Sequence, residues 1–204
     1  MLFRSLRASF ATRDFIEVET PMLQTMHGGA AARPFVTRSN AFDMDLFLRI
    51  APELFLKRCV VGGIDRVFEI NRNFRNEGAD STHSPEFAML EFYQAYADYS
   101  DMADLTQALI QEAALAVHGS LSFELVDGGV RDLSGDWARV SVFPAVSQAV
   151  GEDITPATPI KRLRELCAAA GIEHAPSAIH GKLVEELLEH HVVASFIRPT
   201  FVVD

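Results

Sequence analysis

The feature that most constrains the fold is a pair of long strands joined by a polar loop. Residues 66–77, RVFEINRNFRNE, and residues 86–96, EFAMLEFYQAY, both predict strands, and the loop GADSTHSP separates them. Together they predict a long antiparallel hairpin. Alternate residues of a strand share a face. One face of the outgoing strand should therefore carry Glu69, Asn71, Asn73, Arg75 and Glu77, and one face of the returning strand Phe87, Met89, Glu91 and Tyr93.

Glu91 lies in the middle of the otherwise mostly apolar returning strand. An unpaired buried carboxylate is destabilising by several kcal/mol, so Glu91 needs a partner. That partner is either internal, from Arg72 or Arg75, or it arrives with a ligand. A carboxylate beside the phenol of Tyr93 suits a primary ammonium, which is a compact charge. The sequence alone leaves both interpretations open.

Other residues of the hairpin suit a nucleotide. Phe87 and Met89 offer an apolar surface for a flat ring such as a purine. Arg75 and His83 flank a loop of small residues, and guanidinium groups match phosphate oxygens geometrically. The hairpin thus predicts a slot for base, phosphate and amine, although the same residue types are also common on solvated surfaces.

Composition and charge exclude some classes of protein. The formal net charge of -10 and the pI near 5.1 argue against a generic nucleic-acid coat or a membrane-surface binder. No run approaches the roughly 18 consecutive apolar residues that span a bilayer. Cys59 and Cys167 are far apart and form no CxxC pair, which favours a reducing cytosol and no zinc or redox motif. The 204 residues, without repeats or linkers, predict one domain.

The remaining segments predict several further elements. An amphipathic helix is expected around Leu2 to Phe10, and a strand from Phe15 to Glu19. A strand through Leu46 to Ile50 and a helix opened by Pro52 follow. Next come a helix capped by Ser100 and ended by Gly119, and a short hairpin turning at Asp127, Gly128 and Gly129. The last elements are helices in TPIKRLRELCAAAG and GKLVEELLEHHVVASF and a final strand in PTFVVD.

Several segments together resemble the catalytic core of class II lysyl-tRNA synthetases. FIEVETPML is similar to motif 1 of that family, and FRNEGADSTHSPEFAMLEFYQAYADY to motif 2 with its hairpin loop. GGAAARPF and LRIAPELFLKR resemble the lysine-specific segments, and IRPTFVVD the strand that leads toward later active-site segments. The likeness covers most of Phe15 to Tyr99. It implies an α+β fold with a class II synthetase-like antiparallel sheet flanked by helices, and a homodimer with Pro21 at its interface.

The resemblance also implies a reaction and its residues. L-lysine would be activated with ATP to lysyl-adenylate, and the lysyl group would pass to tRNA(Lys). Arg75 would be the catalytic residue, holding the α-phosphate and the lysine carboxylate. ATP would be bound by Arg75, Glu77, His83, Phe87 and Met89, and lysine by Gly29, Glu53, Glu91 and Tyr93. Ser84 stands where the family usually has asparagine.

We expect residues 1–204 to be part of a catalytic domain. The glycine-rich motif 3, the acidic segment with the Mg²⁺ ligands and the OB-fold that recognises the anticodon should lie outside it, so no metal ligand is predicted within it. The expected protein is cytoplasmic and does not bind membranes. Two alternatives remain open: a paralogue that lysylates a protein acceptor, and a non-catalytic module for lysine binding or dimerisation.

Overall fold

The computed structural model describes residues 1–126 and 128–204, which divide into two compact units, Met1–Ala116 and Val117–Asp204. The sequence contains no linker at this division, because a single helix, Tyr99–His118, continues across it. The assignment of residues 1–204 to one catalytic domain stays a prediction. The mixture of helices and strands confirms the α+β class.

The first unit contains most of the elements that the sequence predicts. In chain order they are α1 (Leu2–Ala11), β1 (Ile16–Glu17), β2 (Leu23–Gln24), β3 (Val36–Ser39), β4 (Met44–Leu48), α2 (Glu53–Val61), β5 (Arg66–Phe74), β6 (Glu86–Gln94) and α3 (Tyr99–His118). The predicted strand at Phe15–Glu19 is shorter than expected. Helix α2 begins directly after Pro52, as predicted. Proline is tolerated at the start of a helix because the N–H that it lacks would have no acceptor within the helix.

The long hairpin is confirmed by the pairing of β5 with β6. The two strands are antiparallel over their full length, from Arg66 opposite Gln94 to Phe74 opposite Glu86. Strand β1 adds to β5 in parallel, so the sheet has the order β1-β5-β6 and is not purely antiparallel. A second, antiparallel sheet has the order β2-β4-β3.

The outgoing strand ends earlier than predicted, so the expectation of a strand through Glu77 is wrong. The amide of Arg75 still donates to the carbonyl of Pro85 at 2.9 Å. The amide of Asn76 instead donates to the carbonyl of Arg33 at 2.7 Å, which takes the chain away from the hairpin. Arg75 and Glu77 therefore lie in the segment that follows β5 and are not on its face.

An aromatic core covers one face of the hairpin. Phe68 and Phe92 lie on that face, and Phe10 of α1 stacks on Phe68 with ring centroids 4.3 Å apart. Leu109 of α3 packs into the same cluster. Each fully buried side chain of this size stabilises a fold by about 1.5–3 kcal/mol. This packing fixes the register of the hairpin and directs Glu91 to the other face.

The N-cap of α3 differs from the prediction. The Oδ1 atom of Asp98 accepts from the amides of Ser100 at 2.7 Å and Asp101 at 3.2 Å. The carboxylate of Asp101 in turn accepts from the amide of Asp98 at 2.8 Å. This reciprocal arrangement is a capping box, so Asp98 and not Ser100 caps the helix. As expected, the helix ends before Gly119, whose φ of 72° lies in the left-handed region that glycine adopts most readily.

The second unit contains a short hairpin, three helices and a parallel strand pair. Its elements are β7 (Ser122–Glu124), β8 (Val130–Asp132), β9 (Ala138–Ser141), α4 (Val142–Val150), α5 (Ile160–Ala169), α6 (His180–His191), a 3-10 turn (Val193–Ser195) and β10 (Thr200–Val203). The hairpin β7–β8 and the final strand are confirmed. The predicted turn includes Asp127, which lies outside the described residues. Helix α4 was not predicted.

Candidate active site

The site is built on the hairpin face that the aromatic core leaves uncovered. The strand register places four cross-strand pairs on this face: Val67 with Tyr93, Glu69 with Glu91, Asn71 with Met89, and Asn73 with Phe87. We call these eight residues the site face. Phe87, Met89, Glu91 and Tyr93 therefore share one face as predicted, because side chains alternate along a strand.

Glu91 has the phenol of Tyr93 as its hydrogen-bond partner. The hydroxyl of Tyr93 donates to Oε1 of Glu91 at 2.8 Å. Neither arginine considered for an internal ion pair is its partner. Arg72 lies 3.6 Å from Glu86 on the opposite face, and Nε of Arg75 donates to the carbonyl of Ile50 at 3.4 Å. In residues 1–126 and 128–204, the structure shows no ion pair of Glu91.

The surroundings of Glu91 disfavour the charged form of its carboxyl group. Burial raises the pKa of the Glu91 carboxyl above its usual value, and the negative charges of Glu53 and Glu69 raise it further. The hydrogen bond from Tyr93 and the charge of Lys57 act in the opposite direction and do not cancel the shift. Burial, followed by the hydrogen bond to Glu91, also raises the pKa of the Tyr93 phenol. A bound cation would relieve both shifts.

Gly29 and Glu53 come together at the start of α2. A Cβ atom on Gly29 would lie only 2.8 Å from Cβ of Glu53, and Gly29 has a φ of 87°. Both features require glycine, so the chain passes Glu53 more closely than any side chain would permit. The predicted association of these two residues is thus present in the geometry.

Lys57 is a member of the site that sequence reasoning missed. Its Nζ atom lies 2.6 Å from Oε1 of Glu53 and 5.7 Å from the ring centroid of Tyr93. Its position one helical turn after Glu53 was a visible signal, because residues four apart on a helix are neighbours.

A buried ion pair between Arg49 and Glu69 supports the site face and was also missed. Arg49 is 0% exposed and Glu69 is 1% exposed, and their side chains meet at 2.8 Å. Glu69 also accepts from Nδ2 of Asn71 at 3.1 Å. The signal was one charged residue within each of two apolar runs, FLRIAP and VFEI. Glu69 is therefore already neutralised, whereas Glu91 directly opposite is not.

The same ion pair fixes the segment that precedes Pro21. The amide of Thr20 donates to Glu69 at 3.1 Å and its hydroxyl donates to Glu69 at 2.6 Å. Arg49 donates to the carbonyl of Thr20 at 3.2 Å. Pro21 itself is exposed. Its predicted place at a dimer interface stays a prediction.

Of the residues predicted to bind ATP, Arg75, Glu77 and His83 lie in or beside the loop of the hairpin, and Phe87 and Met89 lie in β6. The guanidinium carbon of Arg75 lies 5.1 Å from the ring centroid of Phe87, so these two are brought together. Glu77 is exposed and accepts from the amide of Arg33 at 3.2 Å. These contacts place an arginine, an aromatic ring and a carboxylate near the base of the loop.

The tip of the loop is organised by Asp80. Its carboxylate accepts from the amides of Thr82 at 2.7 Å and His83 at 2.8 Å, and from the ring of His83 at 2.9 Å. The amide of Thr82 is the largest of the contacts that hold the pKa of Asp80 well below its usual range. His83 and Ser84 are exposed, and His83 contacts Asp80 and Thr82 within its own loop.

The described residues contain neither a cluster of metal-ligating side chains nor a helix that could span a membrane. No group of three or more histidine, cysteine, aspartate or glutamate side chains in residues 1–126 and 128–204 could hold a metal ion. In the same residues, no helix is both long enough and apolar enough to cross a membrane.

Comparison with known proteins identifies the family of this chain as the class II tRNA synthetases. The chain belongs to this family, because the sequence model of the family, described as tRNA synthetases class II (D, K and N), matches residues 1–204. A lysine–tRNA ligase of Kineococcus radiotolerans is 61% identical over 202 residues, and one of Mycolicibacterium gilvum is 60% identical over 203. Both matches cover 98% of this chain, which spans about 40% of the length of those relatives.

A third relative carries a different name. It is the lysylphosphatidylglycerol biosynthesis bifunctional protein LysX of Nocardia farcinica, 51% identical over 205 residues. That match covers 98% of this chain and 18% of the relative. The resemblance to lysyl-tRNA synthetases inferred from the motifs is confirmed at the level of the family and of the named lysine–tRNA ligases.

Proposed function

We propose that this chain is the part of a lysine–tRNA ligase that binds L-lysine and the adenine, ribose and α-phosphate side of ATP. The whole protein would form lysyl-adenylate and pass the lysyl group to tRNA(Lys). The observation that carries the proposal is Glu91, a half-buried carboxylate that accepts a hydrogen bond from a phenol and makes no ion-pair contact among the described residues.

The side chain of lysine fits this position by charge. Its ε-ammonium would lie beside Glu91 and Tyr93 and donate a hydrogen bond to the Glu91 carboxylate. The positive charge would also lower the raised pKa of the Glu91 carboxyl. An analogue without the ammonium would leave the carboxylate buried and unpaired. Sites of this kind reject such analogues strongly, often by about 10⁴-fold or more.

The α-amino group would lie against Gly29 and Glu53. The absence of a Cβ on Gly29 lets a ligand approach its backbone, and Glu53 supplies a carboxylate beside it. Two ammonium groups of lysine would thus meet two carboxylates, Glu53 and Glu91, while Glu69 stays paired with Arg49.

The nucleotide would occupy the end of the site nearest the loop. Phe87 would stack on adenine with Met89 nearby, while Glu77 and His83 would contact ATP. Arg75 would hold the lysine carboxylate and the α-phosphate, stabilising the charge that develops between them. In this step the lysine carboxylate attacks the α-phosphorus, and the bond to the β-phosphate oxygen breaks to release pyrophosphate. Positioning and electrostatics then supply the rate, and no general base is required.

Magnesium and dimerisation complete the proposal. Glu69 and Glu53 already have the cationic partners Arg49 and Lys57, and no group of three or more histidine, cysteine, aspartate or glutamate side chains among the described residues could hold a metal ion. We expect the Mg²⁺ ligands in the part of the whole protein that lies outside residues 1–204. We also expect a homodimer with Pro21 at the interface, and a cytoplasmic location.

A different acceptor is the second candidate function. The Nocardia relative is named for lysylphosphatidylglycerol biosynthesis and not for a tRNA ligase. A site of this kind could therefore pass its lysyl group to an acceptor other than tRNA. Activation of lysine would be the same in that case, and in a paralogue that lysylates a protein. The higher identity, 61% against 51%, favours the lysine–tRNA ligase. A module that binds lysine without catalysis is the weaker alternative.

Calorimetric titration with L-lysine tests the proposal directly. The chain should bind L-lysine, and binding should be lost in Glu91→Gln, because a neutral amide cannot replace the carboxylate. Glu86→Gln is the matched control, since Glu86 lies on the same strand but is exposed on the opposite face. Norleucine, which lacks the ε-ammonium, should not bind.

Repeating the titration with ATP and Mg²⁺ present measures how the nucleotide contributes. Tighter lysine binding with ATP would support a shared site for both ligands. The proposal is wrong if the folded wild-type chain binds no lysine, or if Glu91→Gln and Glu86→Gln bind it equally well.

A further inference from the structure

The position of Lys57 suggests a role that the pocket residues alone do not explain. We infer that Lys57 is a resident cation of the amino acid site, which occupies Glu53 until the α-ammonium of lysine displaces it. Lys57 would then set the affinity and selectivity of the site for amino acids. This inference rests on the proposed function, because it requires Glu53 to receive the α-ammonium.

The geometry places the Lys57 ammonium inside the site. Its Nζ atom is 2.6 Å from Oε1 of Glu53 and 5.7 Å from the ring centroid of Tyr93, whose hydroxyl bonds Glu91. Its charge also lowers the pKa of the Glu91 carboxyl, against the net upward shift. An ammonium at this place holds the same carboxylate that the substrate needs.

Lys57 differs from an ordinary salt bridge along a helix. Such pairs between residues four apart are common on exposed faces and stabilise a helix little. Here the acceptor lies beside the backbone of Gly29, with Oε2 of Glu53 3.5 Å from the position that a Cβ on Gly29 would take. The Glu53 side chain is 28% exposed, whereas that of Lys57 is 55% exposed. Lys57 can therefore turn out to solvent while Glu53 stays in place.

A count of charges explains why Lys57 must leave. Glu69 is already paired with Arg49, so the site offers the charges of Glu53 and Glu91. Lysine brings one ammonium for each of them. With lysine bound, the ammonium of Lys57 would be surplus beside two others, and like charges at close range repel.

The expected consequence is a lower apparent affinity for ligands that carry an α-ammonium. When only a fraction of the protein is competent to bind, the apparent dissociation constant rises by the inverse of that fraction. A partly exposed ion pair of this kind reduces the competent fraction to a modest extent, about 2- to 5-fold. Ligands that do not use Glu53 are not affected by this competition.

The test compares two ligands that differ in the α-ammonium alone. L-lysine and 6-aminohexanoate both carry the distal ammonium and the carboxylate, but the latter has no α-amino group. In Lys57→Met, calorimetry should show L-lysine binding about 2- to 5-fold more tightly, with a smaller gain for 6-aminohexanoate, which uses Glu91 but not Glu53. Lys57→Gln should behave like Lys57→Met, and Lys57→Arg should resemble the wild type.

Lys182→Met is the matched control. Lys182 is also exposed, and it also pairs with a glutamate four residues away, Glu186, but it lies in the second unit. This variant loses the same charge and should leave both affinities unchanged.

Each other outcome overturns the inference in a recognisable way. An equal gain for both ligands would indicate a general effect of charge and not competition at Glu53. An unchanged or weaker affinity for L-lysine in both Lys57→Met and Lys57→Gln would show that Lys57 does not compete. If the wild-type chain binds no lysine, the proposed function fails and the inference fails with it. If the wild type binds lysine and the Lys57 variants give one of these contrary results, only the inference about Lys57 fails.

Discussion

Replacement of Glu69 by glutamine tests the role of the buried ion pair. Glu69 and Arg49 are 1% and 0% exposed, and they are each other's charged partner. Glu69→Gln would leave the guanidinium buried without a counter-charge. Breaking a buried pair in this way destabilises proteins by about 3–5 kcal/mol. This is a large part of the roughly 5–15 kcal/mol that stabilises a typical domain.

The contacts of Glu69 separate the loss of charge from the loss of hydrogen bonds. Its Oε1 atom accepts from Arg49, the amide of Thr20 and Asn71 at 2.8, 3.1 and 3.1 Å. A glutamine oxygen in the same position can keep all three bonds. Its amide nitrogen would then face the hydroxyl of Thr20, which already accepts from Nη1 of Arg49 at 2.9 Å and can accept one more hydrogen bond. The substitution therefore removes the charge and the one bond that the Thr20 hydroxyl donates to Oε2 of Glu69.

Urea unfolding measures the expected loss. All three tyrosines of the chain, Tyr93, Tyr96 and Tyr99, lie in the first unit, so tyrosine absorbance follows the unit that contains the substitution. The midpoint should fall while the slope stays constant. Glu86→Gln is the control, since Glu86 is 58% exposed, and it should change stability by less than about 0.5 kcal/mol. A cost below about 1 kcal/mol for Glu69→Gln would refute the reasoning, because the charge would then not be needed.

Three further predictions concern the site and the helix that supports it. Gly29→Ala should destabilise the chain by about 1 kcal/mol or more and weaken lysine binding. Gly63 has a φ of 97° but open space around it, so Gly63→Ala should lower stability and leave lysine binding unchanged. Urea unfolding measures the stability, and calorimetry measures the binding. Burial, followed by nearby carboxylates, raises the pKa of Glu91 in the folded chain, so its stabilising contribution is present at low pH and is lost as the pH rises through that pKa. Glu91→Gln should therefore be more stable than the wild type near neutral pH, and the difference in urea unfolding should close below the usual pKa of glutamate, about 4.3. Asp98→Ala should lower the free energy of unfolding by about 1 kcal/mol, because two amides of α3 lose their acceptor; an unchanged midpoint would contradict this.

Features set by local sequence were predicted well. The alternation of side chains in RVFEINRNF and EFAMLEFYQ placed Glu91 and Tyr93 on one face, because the strand period does not depend on the rest of the chain. The start of α2 after Pro52 was predicted for the same reason, since proline restricts the backbone at its own position. The α+β class followed from the mixture of such local patterns.

Features set by distant contacts were not predicted. Strand β5 ends because Asn76 bonds the carbonyl of Arg33, and no local pattern reports that contact. The partner of Glu69 could not be identified either, because several arginines were within plausible reach in sequence and only the fold selects Arg49. The missed helix α4 has an almost entirely apolar sequence, VFPAVSQAV, whose length and composition do not separate a helix from a buried strand.

The two carboxylates that face each other across the hairpin show how this fold separates stability from binding. Glu69 and Glu91 occupy paired positions on one face, yet Arg49 neutralises the first and the second has a phenol as its partner. An arginine beside Glu91 would remove the unfavourable burial, but it would also occupy the position that an ammonium ligand needs. The aromatic packing of Phe10 on Phe68, on the opposite face, offsets that unfavourable burial without restricting the site. A chain with this arrangement can keep one uncompensated carboxylate for its ligand, because the other face of the same hairpin supplies the stability.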